Sequence, residues 1–340
     1  MKILCYGDIH FRLYGSSKEM NSIQDNGLSL ELNNIVEGYR WIEDTLKKEK
    51  PDLLIFLGDL FDSPDRIDVK TLYACDQSLS SLHKVVQYLG IDHVALLGNH
   101  DLNSYNSYGN INSLSIVKKY FSKVITDSVV TEDYNGYGIK YIPYMEPKDF
   151  SEELKKDREI LIIAHTDVYG SKMDSGKLSD CPIDTTGIRR MISGHLHVKQ
   201  NVGQTYYPGS LINNRFNRNC SPEDFGGALL YDTDEDSIVN LYNDRSRHYL
   251  VIKDLSDLDN LNHKNFVYKI IGEYENEYVR SVMDKCEDSI YSFSKVFTEE
   301  IKKEYLTNEE TKTMTPKEIL LEYVDVNIPE LSETAKEILI

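Results

Sequence analysis

Much of what would place this chain outside a cell, inside a membrane or on naked nucleic acid is missing from its sequence. Its 340 residues hold five cysteines, Cys5, Cys75, Cys181, Cys220 and Cys286, with no Cys-x-x-Cys pair among them. An odd, scattered set argues against a zinc ribbon or a disulfide frame and fits a reducing compartment. Long apolar runs are also missing. The opening MKILCYGDIHF turns polar too early for a secretory signal, and no window reaches the length that a membrane span needs. The expectation is therefore a soluble protein of the cytoplasm with no membrane partner. Positive charge is scarce, with 38 Lys and Arg against 56 Asp and Glu and a net charge of -18. Phosphate backbones are usually met by a basic face, so this balance predicts weak unaided binding to nucleic acid. Its blander meaning is solubility. Internal repeats and low-complexity tracts are absent as well. The segment GSKMDSGKLS from Gly170 resembles a P-loop only at a glance. Five residues separate its glycines where the motif has four, and Leu178 stands where a hydroxyl must follow Lys177. No ATPase is expected in this chain, and 168–186 reads as a polar surface loop.

What is present is a core and a rhythm. With 40% hydrophobic residues, the chain can fill one catalytic-sized domain and a smaller appendage. Over the first two hundred residues strands and helices alternate. The apolar strand at 2–6 precedes a helix near 29–49, whose stripe of Leu32, Ile35, Val36, Tyr39, Ile42 and Leu46 ends before Pro51. A strand at 53–57 leads to a helix near 68–89, opened by Asp68 and closed by Gly90, and then to a strand at 93–97. Asn135-Gly136 marks a hairpin, and the apolar runs 159–164 and 190–193 each end in histidines. This is an α/β pattern. After about 205 short strands follow without crossover helices, which predicts a small α+β appendage whose last strand lies at 266–271. Residues 291–340 carry 11 acidic residues against 6 lysines and no arginine, in short amphipathic segments with too few apolar residues for a separate core. The predicted division is 1–204, 205–272 and a helical tail, 273–340.

The strand ends carry the chemistry. YGDIH supplies Asp8 and His10, LGDLFD Asp59, LGNHD Asn99 and His100, IIAHTD His165, and SGHLH His195 and His197. In an open α/β sheet functional groups gather outside the carboxyl ends of strands, so these separate stretches are expected to converge. One Asp after a strand is usually a turn or a cap, and one His is usually an ordinary hydrogen-bonded residue. Five such coincidences at five strand ends are not. The mixture of hard oxygen and imidazole nitrogen suits two divalent cations bridged by a carboxylate, and Asp59, central in order, is the natural bridge. His83, His93, His248 and His263 keep the ordinary reading. No serine or cysteine stands in a motif with a base and an orienting group, so a covalent intermediate is not expected.

As a set, GDIH, GDLFD, GNHD, AHTD and GHLH resemble the successive motifs of the calcineurin-like metallophosphoesterases. The wording GDLFD, the segment YYPGSLINNRF and the C-terminal LLEYVDVNIP resemble the SbcD-type DNA nuclease subunit, particularly its tailed-phage relatives. The resemblance implies a two-sheet sandwich flanked by helices, with a smaller α+β capping, DNA-contacting domain and a C-terminal helical tail. It implies that Asp8, His10, Asp59 and His197 hold one metal and that Asp59, Asn99, His165 and His195 hold the other. His100 would face the scissile phosphate as the catalytic residue, with Asp101 either orienting it or anchoring the loop. Manganese is the implied cofactor; ligand chemistry alone also admits iron or zinc, and magnesium less readily beside several imidazoles. Implied partners are DNA and an SbcC-like coiled-coil ABC-type ATPase, with a homodimer of this chain inside a heterotetramer that processes DNA ends in repair and recombination. The setting would be the cytoplasm of a phage's host cell. The C-terminal amphipathic segments, through Ile319, Leu320, Tyr323 and Val324, are the candidate ATPase dock, with packing on this protein's own body as the alternative. Arg12, Lys18, Arg66, Lys199, Arg215 and Arg218 lie in loops next to motifs, where some could meet phosphates, although ordinary surface charge is the favoured reading of each taken singly. Asp62 departs from the histidine found there in many cellular relatives, which bears on the balance of exonuclease and endonuclease action. Two other readings stand beside this one: a binuclear phosphoesterase for nucleotides or phosphoproteins, and a scaffold for the ATPase with a minor catalytic role.

Overall fold

The computed structural model describes residues 1–15, 20–63, 65–102, 111–213, 221–253, 257–258, 261, 266–271 and 290–294. The predicted C-terminal helices, Lys18, Arg215 and Arg218 lie outside these residues.

Two six-stranded sheets form the body. In the first, β1 (Lys2–Tyr6), β2 (Leu53–Phe56), β3 (Asp92–Leu96) and β4 (Lys123–Ile125) run parallel in sequence order. The second contains β5 (Val130–Tyr134), β6 (Tyr137–Ile142), β7 (Leu161–His165), β8 (Arg190–Gly194), β9 (Gln200–Val202) and β10 (Thr205–Tyr207), in the order β5-β6-β7-β8-β10-β9. The hairpin of β11 (Gly227–Asp232) and β12 (Ser237–Tyr242) then adds antiparallel to β1 and completes the first sheet as β12-β11-β1-β2-β3-β4.

Alternation along the strands decides the layers. Ile3 and Cys5 of β1, with Leu53 and Ile55 of β2, face Ile139, Tyr141, Leu161, Ile163 and Ile192 of the second sheet. Leu4, Tyr6, Leu54 and Phe56 point the other way, onto α1 (Leu30–Glu49) and α2 (Val69–Leu89). The outer face of the second sheet packs Ile162, Ala164 and Met191 against Phe150 and Leu154 of α4 (Pro147–Leu154). The short α3 (Leu114–Val117) joins the helical side. The result is the expected two-sheet α/β sandwich flanked by helices. Local chemistry sets the helix ends. Ser29 caps α1 by accepting the Leu32 N–H at 3.1 Å, and Asp68 caps α2 through Lys70 N at 2.8 Å. Gly90 closes α2 at φ 67°, a left-handed conformation natural to glycine. Asn135 and Gly136, at φ 56° and 90°, turn the chain between β5 and β6 as their sequence demands.

The two sheets draw on residues well beyond 204, since β10, β11 and β12 all belong to them. A separate small sheet, in the order β13-β14-β15, is formed by β13 (His248–Ile252), β14 (Phe266–Ile271) and β15 (Ile290–Ser294). It has its own core of Phe225, Leu250, Ile252, Leu258, Phe266 and Tyr268. No helix among the described residues is long and apolar enough to cross a membrane.

Candidate metal centre

All eight singled-out side chains stand at the carboxyl ends of β1, β2, β3, β7 and β8. The strands splay their loops into one depression, and the backbone there is bent in an unusual way. Asp8, His10, Asp59 and His195 have φ of 52°, 51°, 61° and 87°, a left-handed region that costs side-chain-bearing residues about 1–3 kcal/mol each. Such strain persists only where surroundings fix it. The loops after β1 and β2 run side by side, with Asp8 N donating to Gly58 O at 3.0 Å and Ile9 N and His10 N donating to Asp59 O at 3.0 and 3.1 Å. Gly98 admits the β3 loop to the same place, because a Cβ there would lie 2.2 Å from Asp59 Oδ1 and 2.5 Å from Asp59 N.

Two groups of ligand atoms that share no residue result, Asp8, His10 and His197 in one and Asp59, His165 and His195 in the other, while a third, His10, Asp62 and His100, overlaps the first at His10. His10 Nε2 and His197 Nε2 face each other at 2.9 Å. Asp8 Oδ1 accepts from His195 N at 2.9 Å, while Oδ2 is buried without a hydrogen-bond partner among the described residues. Asp59 Oδ2 lies 3.6 Å from His10 Nε2 and 3.4 Å from His165 Nε2, so it reaches both groups. Asn99 Oδ1 meets His165 Nε2 at 2.9 Å and His195 Nδ1 at 2.8 Å. Converging imidazole nitrogens and carboxylate oxygens, one of them buried and unsatisfied, form a donor set suited to cations.

Electrostatics reinforce this. Burial pushes the Asp8 carboxyl up to about 7, against the pull of His165 and His197. Burial acts upward on Asp59 too, but His165 and His10 outweigh it and hold that carboxyl far below its usual range. His165 is correspondingly raised to about 9, the Asp59 carboxylate overriding desolvation. Burial lowers His195 to about 4, aided by the neighbouring His165. A cluster that must share protons in this way releases them when a cation takes their place.

Outer partners fix the rings. His165 Nδ1 donates to Leu57 O at 2.7 Å, which leaves Nε2 as the ligand atom. His197 Nδ1 pairs with Asp174 Oδ2 at 2.7 Å. Sequence reading missed Asp174. It comes from the 168–186 segment, which is not a simple surface loop: Lys172 bridges Leu178, Gly170 N donates to Ser179 O at 2.9 Å, and Val168, Ser171 and Ile183 are buried. The spacing that mimics a P-loop serves instead to deliver a carboxylate.

His100 stands beside the first group, its ring centroid 4.7 Å from that of His10. Its N–H donates to Asp59 Oδ1 at 2.8 Å, and its Nδ1 meets Asp62 O at 2.8 Å, so Nε2 is the nitrogen available to a substrate. Asp101 does not orient His100. It accepts from Asp59 N at 2.8 Å, Gly98 N at 3.0 Å, Leu60 N at 3.1 Å and Ser113 Oγ at 2.6 Å, and so anchors the loops. The main chain of Asp62, not a side chain, sets the ring, and no sequence signal announces a carbonyl. Among the basic residues, Arg12 is tied to Glu31 at 3.1 Å, whereas Arg66 is exposed. Cys5 and Cys75 are buried, and desolvation pushes both thiols upward, away from nucleophilic use.

The chain is similar to known proteins over part or all of its length. A protein of Invertebrate iridescent virus 3 named as a phosphoesterase, 078R, is 29% identical over 182 residues, half of this chain and half of its own length. Exonuclease subunit 1 of Enterobacteria phage T4 is 23% identical over 354 aligned residues, covering 100% of this chain and 96% of that protein. Among solved structures, Yfce, a phosphoesterase from E. coli, aligns with 71% of this chain and 98% of its own at 15% identity and a TM-score of 0.36. The calcineurin-like phosphoesterase pattern matches residues 1–199, which contain every ligand described above. The chain therefore belongs to the calcineurin-like phosphoesterase family, whose members act on phosphoester bonds, and the side-chain groups that could hold cations lie inside the matched residues, at the carboxyl ends of the strands.

Proposed function

We propose that this chain is the metal-dependent nuclease subunit of a DNA end-processing complex, hydrolysing phosphodiester bonds with water as the nucleophile. The observation that carries the reading is the meeting of two three-ligand groups at Asp59 with His100 alongside. Similarity to Exonuclease subunit 1 along the whole chain supports DNA as the substrate.

Asp8, His10, Asp59 and His197 would hold one cation, and Asp59, Asn99, His165 and His195 the other. When bound, two such cations neutralise phosphate charge and lower the pKa of water at the site. Manganese is the cation that the resemblance to SbcD-type subunits implies, while the mixture of oxygen and imidazole donors by itself also admits iron or zinc. The residues supply the rest. Asp62 O holds the Nδ1–H of His100, so in the imidazolium form Nε2–H donates to a phosphate oxygen and its proton can pass to the leaving alkoxide. Leu57 O and Asp174 hold His165 and His197 in the tautomers that present Nε2. A net charge of -18 leaves DNA affinity to a partner, for which a coiled-coil ATPase bound through the C-terminal segment is the candidate, with two copies of this chain in the assembly.

The test is hydrolysis of linear double-stranded and circular single-stranded DNA by the full chain, with manganese, magnesium or chelator, beside His100→Asn and a small phosphate ester. Manganese-dependent cutting lost in the variant supports the nuclease. Rapid turnover of the small ester with no cutting of DNA, even when the ATPase is added, would move the reading to a phosphoesterase for nucleotides or phosphoproteins. DNA processing unchanged in His100→Asn would favour the scaffold.

A further inference from the structure

His100 is held by a backbone carbonyl, and what holds that carbonyl lies in another part of the fold. The Asp62 loop is paired to the β1 loop by Asp62 N donating to Phe11 O at 3.2 Å and by the Phe11–Phe61 bridge. One residue on, Arg12 directs Nη1 to Asp62 Oδ1 at 3.8 Å, and Nε and Nη2 to Glu31 Oε1, both at 3.1 Å. Glu31 opens α1 and is fully buried, although it is a carboxylate. Its other oxygen accepts from Tyr249 Oη at 2.9 Å. Tyr249 belongs to β13 of the small sheet and packs with Val267 of β14 against Met20 and Leu30. Gly15 makes room for the junction, since a Cβ there would lie 2.2 Å from Tyr249 Oη and 2.6 Å from Glu31 Oε2. Hydrogen bonds and ion pairs thus lead from the small sheet to Asp62, whose carbonyl meets the ring of His100, and the 3.8 Å ion pair of Arg12 with Asp62 is the longest step.

We propose that Tyr249, Glu31 and Arg12 are positioning residues that set the Asp62 loop, so that the placement of the small sheet fixes the tautomer and aim of His100. A buried carboxylate is costly unless fully paired, and here the pairing joins the first turn of α1, the β1 loop and β13. Arginine suits the middle position because its rigid fork can grip Glu31 while another nitrogen faces Asp62. A ligand or partner that displaces the small sheet would therefore change His100 without touching it. The inference rests on the reading of His100 as the residue that serves the phosphate.

The experiment reads the relay both with and without chemistry. In the metal-free full chain with ¹⁵N-labelled histidine, the His100 imidazole, assigned by its loss in His100→Asn, is expected as the Nδ1–H tautomer. Tyr249→Phe and Arg12→Lys should shift it toward a mixture, leave the His83 signals in place and keep the melting temperature within a few degrees. With manganese, Tyr249→Phe should lower kcat on linear DNA on the order of tenfold at unchanged KM, the loss of one hydrogen bond to a charged group. In the His100→Asn background the same change should cost nothing more. An unshifted His100 tautomer, or an equal loss in both backgrounds, would overturn the relay. A shifted tautomer with hydrolysis indifferent to His100 would leave the relay standing and sink the assigned role of His100. Glu31→Ala is not used, since stripping a buried carboxylate invites unfolding.

Discussion

The two ligand groups are built by different means. Around Asp59, His165 and His195 the backbone does the fixing: His165 is fully buried on Leu57 O, and Gly98 packs so closely that no side chain fits. Around Asp8, His10 and His197 part of the fixing is left to a side chain, for His197 leans on Asp174, which is 39% exposed on the 168–186 segment. Gly58, Gly98 and Gly194 line the first kind of site so closely that a Cβ at any of them would crowd Asp59 or His165. The second can be loosened by a single surface substitution, and this difference teaches that one cation should be held more firmly than the other.

The largest loss is expected at Asp59, whose Oδ2 lies 3.6 Å from His10 Nε2 and 3.4 Å from His165 Nε2. Asp59→Asn should abolish two-cation binding in calorimetric titration and reduce hydrolysis well beyond the roughly 10- to 100-fold that loss of an outer partner costs. A next, smaller effect is expected from Gly98→Ala. Its Cβ would collide with Asp59 Oδ1, and overpacking of this kind costs about 1 to 3 kcal/mol in urea unfolding, with the Asp59 group impaired first. Asp174→Asn is expected to separate the two groups. Only the binding phase of the Asp8 group should weaken, by about 10- to 100-fold, while the other phase keeps its affinity; equal weakening of both would show that the two groups are one rigid unit.

A last test, with no effect expected on cation binding or hydrolysis, uses a histidine remote from the centre as a control. His93 meets Tyr6 Oη at 3.1 Å inside the core, and burial lowers it to about 3. Because its folded pKa lies below the unfolded value near 6.5, its contribution is complete above that value and is lost as pH falls toward 3. His93→Gln should therefore make the slope of urea stability between pH 6.5 and 4 shallower by about one proton, near 1.4 kcal/mol per pH unit. An unchanged slope would mean that His93 is charged in the folded protein.

Much of this molecule can be read from periodicity. Apolar stripes and caps place α1 and α2 within a residue of their observed ends, since Ser29, Asp68 and Gly90 act through their own neighbours. The eight site residues are legible because each follows a buried strand, and strand ends in a parallel sheet share an edge. What could not be read involves partners distant in the chain. β11 and β12 resemble an appendage because a closing antiparallel hairpin needs no crossover helix, yet their partner is β1, at the far end of the sequence. Asp174 sits in a polar stretch indistinguishable from a solvated loop, and Asp62 acts on His100 through a carbonyl that every residue possesses.

By itself the sequence determined the inventory: which strands are buried, where helices stop, and which metal-loving side chains follow each strand. These follow from local sterics and from the two- and 3.6-residue periods of side-chain direction. Only the tertiary structure decided how the inventory is shared out. Two sheets pressed together bring β1, β2 and β3 opposite β7 and β8, force Asp8, His10, Asp59 and His195 into left-handed backbone, and set Asp59 between the two groups. Distances between residues far apart in sequence depend on packing the whole core, and no local pattern contains them.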